Sequence, residues 1–153
     1  KDLLENAKWI ITKTSKTDLN AVKILSELIK SMKCEIIFAS PINHDIATSL
    51  ISHLPIFLAS SLIQTANNSN DILVRELAQK ISASGFADTT RVGGGNAELG
   101  QDLAEYNKDN LLNAIKEFKS NLEDFEEIIR EKDKKSIFEK LEKSKNIRSN
   151  FIN

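Results

Sequence analysis

Apolar residues recur along this chain in two rhythms, and the change from one to the other divides it. The run "KWIIT", Lys8 to Thr12, is short, apolar and rich in β-branched and aromatic residues, which predicts a strand. The polar "KTSKTD" follows and ends in a good helix N-cap, Asp18. From Leu19 to Met32 the positions Val22, Leu25, Leu28, Ile29 and Met32 fall at helical spacing, and "CEIIFAS" is strand-like again. The predicted unit is β-α-β, with its two strands parallel. Two strands and one helix cannot cover both faces of a parallel sheet. Residues 1–42 are therefore expected to be the tail end of a larger α/β domain whose front is absent.

After Pro41 no further strand-like run occurs, and the boundary is placed near Asn43, a candidate cap for a helix with Asp45 in its first turn. That helix is predicted to run to about Ala66, with a kink at Pro55, which can neither donate to the carbonyl of Ile51 nor pack against it without a clash. "NNSND" separates it from a helix over Ile72 to about Ser82. Asn96 or Gly95 starts another through Leu103, and a long one spans about Asn107 to Glu131. In the long helix Leu111, Ile115, Phe118, Leu122, Phe125 and Ile129 alternate in steps of four and three, an apolar seam suited to helix–helix packing. A last helix covers Lys134 to about Lys145. The fold class expected is mainly α, an all-helical domain over 43–153 preceded by the β-α-β piece.

Composition narrows the classes of function. With 21 Lys and Arg against 22 Asp and Glu, nothing favours a polyanionic partner, and nucleic acid is a poor expectation. One cysteine, Cys34, rules out an internal disulfide and a thiolate zinc cluster and suits a reducing, cytoplasmic setting. The longest apolar run, "LPIFLASSLI", reads as too short and too rich in serine to span a bilayer, and no targeting segment is visible.

Two constellations carry candidate chemistry. Four of the five glycines lie between residues 93 and 100 in "RVGGGNAELG". They miss the dinucleotide pattern, because Glu98 stands where the third glycine belongs, and they miss the P-loop, because Gln101 follows Gly100. Positive φ or close backbone approach in a turn between helices is what they permit. Ahead of them, "ADTTR" sets Arg91 either to pair with Asp88 or to offer its guanidinium fork to a carboxylate. The second constellation, "NHDIATSLISHLPIFLASS", holds both histidines, His44 and His53. Ser49, His53, Ile56 and Ser60 share a helical face, so His53 is either a buried structural imidazole or part of a polar pocket. On a regular helix His44 and His53 lie on nearly opposite sides, which argues against a shared metal.

Taken in order, "HD" at 44–45, "SHLP" at 52–55 and "SGFADTTRVGGGNAEL" at 84–99 resemble the C-terminal region of the prephenate/arogenate dehydrogenase family, and "ITKTSKTD" resembles a loop of its nucleotide-binding domain. The resemblance covers essentially the whole chain. It implies a Rossmann-like domain ending near residue 42, a helical dimerisation and substrate-binding domain, and NADP- or NAD-dependent oxidative decarboxylation of arogenate or prephenate in tyrosine biosynthesis. It implies further that Arg91 and His53 contact substrate, that His44, Asp45 and Asp88 support the pocket, and that the catalytic histidine lies upstream of Lys1, so that this stretch alone is inactive. Prephenate-using members commonly carry a second histidine after "SHLP"; Ile56 stands there, which tilts the resemblance toward arogenate. The competing reading is a non-catalytic helical dimerisation or adapter module that leaves Arg91, Asp88 and His53 unexplained.

Overall fold

The computed structural model describes residues 4–152 and divides into two compact units at Leu111/Leu112. In the first unit, strand β1 (Lys8–Thr12) and strand β2 (Glu35–Ala39) pair in parallel, Lys8 opposite Glu35 and Thr12 opposite Ala39, across helix α1 (Leu19–Ser31). Asp18 caps α1 as its sequence position suggests, accepting from the Asn20 amide at 2.8 Å. Ile29 on α1 is completely buried, while Trp9, Ile10 and Phe38 on the strands stay exposed. One helix thus covers only part of a sheet this narrow.

The helices begin earlier than the sequence suggests. Helix α2 spans Pro41–Thr48, with Ser40 rather than Asn43 as its cap: the Ser40 hydroxyl accepts from the Asn43 amide at 3.1 Å, and Pro41 fills the first turn, where a missing N–H costs nothing. A π-turn over Ser49–His53 continues directly into helix α3 (Leu54–Asn67), and here the Leu54 amide reaches back five residues to the Ser49 carbonyl. The wider turn stands just ahead of Pro55, so the chain meets the proline with an inserted residue rather than with a break. The unbroken helix Pro41–Asn67 has 27 residues and a mean hydropathy of 1.7 over its most apolar window, enough by length and composition alone to cross a membrane. Ending the apolar segment at its serines understates that length. Ser49 and His53, both buried, interrupt its apolar surface.

Helix α4 (Ile72–Ile81) is capped by Asp71. The connection expected next is largely helical: α5 covers Ser84–Thr90 and tightens into a 3-10 turn, Arg91–Gly94, before Asn96 caps helix α6 (Ala97–Tyr106). Helix α7 runs from Lys108 to Arg130, its first residues in the first unit and the rest in the second. In the second unit helix α8 (Lys134–Arg148) turns back beside α7, capped by Asp133, and Lys140 joins the two by pairing with Asp124 at 2.9 Å and lying 4.6 Å from the centre of the Phe125 ring. On the predicted seam, Leu111 is buried and Ile115, Phe118 and Phe125 are half-buried, whereas Leu122 and Ile129 remain exposed.

Candidate functional site

Gly93 explains how Arg91 is placed. A Cβ on this residue would collide with the Ser60 amide nitrogen and lie 2.5 Å from the Ala59 carbonyl carbon, so the 3-10 turn packs backbone to backbone on α3. The need is for close approach and not for unusual torsion, since no glycine has positive φ. Upstream, the Thr90 hydroxyl donates to the Phe86 carbonyl at 2.6 Å, closing α5 before the turn. Ala59 and Thr90 are buried at this crossing. Beside it opens a cleft of about 390 Å³ whose lining includes Arg91, Ser52, Pro55, Ile56 and Asn96. A guanidinium, a hydroxyl and a carboxamide beside an apolar wall suit a small molecule with a carboxylate and an apolar body.

Asp88 does not join this arrangement. It is exposed, and among the described residues neither it nor any other carboxylate forms an ion pair with Arg91. The three-residue spacing would bring the two together on a continuing α-helix. The helix stops at Thr90, and the 3-10 turn carries Arg91 onward in a different phase.

A second polar cluster forms around His53. Nδ1 of His53 lies 3.3 Å from Nδ2 of Asn107, which also donates to the Asp45 carbonyl at 2.7 Å. The Asn110 amide donates to Oδ1 of Asn107 at 2.8 Å. His44 is hydrogen-bonded through Nδ1 to the Asp45 carboxylate at 2.9 Å. On a regular α-helix Asp45 and His53 would differ by roughly 80° in direction, but a π-turn takes about one residue out of phase and brings them to within roughly 20°, two turns apart. The same shift overturns the placing of His44 and His53 on opposite sides, and His44 is close enough to act on the His53 charge. Burial, the largest influence, lowers the His53 pKa below its ordinary value; Asp45 raises it in part, and His44 lowers it further. The net direction favours the neutral ring.

The sequence-predicted residues thus fall into two groups, Arg91 and Ile56 with the cleft, and His44, Asp45 and His53 with Asn107, while Asp88 stands apart. Ser52, Asn96, Asn107 and Asn110 were not singled out as site residues by sequence. Asn96 was legible only as a cap, and no local spacing links Asn107 to a histidine 54 positions earlier.

A β-α-β unit followed by helices, with Arg91 in a cleft beside the long helix Pro41–Asn67, makes this a mainly helical module attached to an α/β element. The family match is more specific: residues 40–143 match the family described as prephenate dehydrogenase, dimerization domain, and the chain belongs to that family. It is 31% identical over 146 residues to a prephenate dehydrogenase of Bacillus subtilis (strain 168), covering 95% of this chain and 39% of that protein. Over 149 residues it is 29% identical to a prephenate dehydrogenase of Lactococcus lactis subsp. cremoris (strain MG1363), covering 96% of this chain and 39% of the relative. Among solved structures, Synechocystis arogenate dehydrogenase superposes with a TM-score of 0.92 at 32% identity, over 99% of this chain and 54% of that one. The prephenate dehydrogenase from A. aeolicus, in complex with hydroxyphenyl propionate and NAD+, gives 0.89 at 28%, over 98% and 52%. The chain spans about two fifths of the length of these curated relatives.

Proposed function

We propose that this chain is the C-terminal, helical portion of a nicotinamide-dependent dehydrogenase that oxidises and decarboxylates arogenate or prephenate, with the boundary between its nucleotide-binding and helical domains at 42/43. The observation that carries this reading is the cleft: Arg91, without a carboxylate partner among the described residues, faces Ser52, Pro55 and Ile56. Arg91 is assigned to the substrate carboxylate, which its planar fork can hold by two hydrogen bonds. Ile56 gives the cleft an apolar wall where a histidine could bond a keto acid, which favours arogenate, and the Synechocystis relative is an arogenate dehydrogenase. His53 and His44–Asp45 are assigned to the polar side of the pocket. The cofactor is NAD or NADP; the A. aeolicus relative was solved with NAD+. The glycines here do not fit it, since Gly93 is spent on packing against α3. The pyrophosphate is assigned instead to the α/β domain to which residues 1–42 contribute. The whole protein is placed in the cytoplasm as a homodimer.

Calorimetric titration with arogenate and with prephenate, on the chain joined to its nucleotide-binding domain, tests this. Arogenate is expected to bind more tightly, and Arg91→Ala to weaken binding by about 1.5–3 kcal/mol, the usual worth of hydrogen bonds to a charged group. Unchanged affinity in the variant would remove Arg91 from the site. Binding of neither compound by the unmodified protein would favour the adapter reading.

A further inference from the structure

The hydrogen bonds around Asn107 fix which way round its side-chain amide lies. Nδ2 must point toward the Asp45 carbonyl at 2.7 Å, because a carbonyl only accepts. With Asn107 so placed, its Oδ1 faces Asn110 Nδ2 at 2.8 Å, and Asn110 completes the set by donating to it. The Asp45 backbone carbonyl fixes the orientation, since reversing the Asn107 amide would set oxygen against oxygen there, and Asn110 is complementary to it. The second hydrogen on Nδ2 is left for His53 Nδ1 at 3.3 Å. An imidazole nitrogen that faces a donor must offer its lone pair, so the ring proton belongs on Nε2.

Nε2 is not sealed in the protein. Among the described residues no buried side-chain nitrogen or oxygen lacks a hydrogen-bond partner, and none of them bonds to Nε2, so it reaches the surface. We infer that Asn107, oriented by the Asp45 carbonyl with Asn110 complementary to it, is a positioning residue that locks His53 as the Nε2–H tautomer and makes it a dedicated hydrogen-bond donor toward whatever occupies the pocket. Its functional meaning rests on the assignment of His53 to a substrate pocket: a fixed N–H suits an anionic or carbonyl oxygen and rejects a donor group. The π-turn is part of the device, because it brings Asp45 and His53 into line for one carboxamide to serve both.

The tautomer is read directly by long-range proton–nitrogen correlation spectra of the chain labelled with nitrogen-15 histidine, at about pH 8, above the ordinary imidazole range. His44→Gln assigns the two ring systems. The expected result for the wild type is a protonated Nε2 and a bare Nδ1 on His53; a protonated Nδ1, or an even mixture, overturns the inference without need of any variant. Asn107→Asp replaces the donor with an acceptor and is expected to move the proton to Nδ1. Asn110→Ala, which leaves Asn107 in place but frees its amide plane, is expected to give a mixture. Wild-type spectra unchanged in both variants also overturn it. Since no substrate is present, these outcomes are separate from the binding test of the proposed function.

Discussion

Gly93 and Gly100 make opposite demands on a side chain, although they look alike in sequence. At Gly93 a methyl group would meet the backbone of Ala59 and Ser60, which cannot swing aside as a side chain could. Gly93→Ala is therefore expected to destabilise the first unit by about 1–3 kcal/mol, as overpacking does, and to weaken ligand binding as well by lifting Arg91 from its place. Gly100 lies inside α6 with nothing within 4 Å of the added carbon, so Gly100→Ala is expected to stabilise by about 0.4–1 kcal/mol. Urea unfolding of the two variants checks both signs; equal effects would mean that the turn does not rest on α3. The sequence showed that these glycines hold no phosphate loop. It could not show which one was indispensable, because the collision is with residues more than 30 positions away.

Among the elements, the strands and most helices were legible because their signals are local. Alternating or helical spacing and a capping oxygen all act within a few residues, as at Asp18, Asp71 and Asn96. Asn96 has a double position, capping α6 through the Glu98 and Leu99 amides while lining the Arg91 cleft. Asn96→Ala is expected to cost about 1 kcal/mol in chemical denaturation, the usual loss for such a cap, whereas Asn96→Ser is expected to keep most of the stability. If alanine and serine behave alike, the cap contributes nothing. Two elements escaped sequence reading. Helix α5 is short and carries Thr89 and Thr90 beside a glycine, a weak helical signal sustained by its packing on α3. The π-turn has no compositional mark except the proline after it, and yet it sets the phase of His53.

On the scale of the molecule, each unit leaves much apolar surface bare. Leu50, Ile51 and Leu62 on the long helix are exposed in the first unit, and Leu122, Ile129, Phe138 and Leu141 in the second. Surface of this extent marks an interface in a protein that stays dispersed, and the family to which the chain belongs is that of a dimerization domain. In the proposed homodimer the same surface would account for the apolar length of Pro41–Asn67, since a helix core shared between two subunits needs an apolar face as long. Sedimentation equilibrium is expected to give twice the 17.1 kDa chain mass at micromolar concentration. Phe138→Glu together with Leu141→Glu is expected to shift that species toward monomer. A wild-type monomer at these concentrations would sink the assignment of the surface.

Short-range physics made three things legible along the chain: a parallel β-α-β piece, capped helices with an amphipathic seam, and an arginine set before a glycine turn. Those features depend on residues close along the chain, whose spacing alone decides which face they share. Folding in three dimensions was needed to bring Gly93 onto α3, to set Arg91 against Ser52 and Ile56 rather than Asp88, and to let Asn107 join Asp45 to His53. Each of these depends on the crossing of two elements or on the phase added by one inserted residue. A single residue of phase turns a side chain by roughly 100°, so the identity of a site residue can be read locally while its partner cannot.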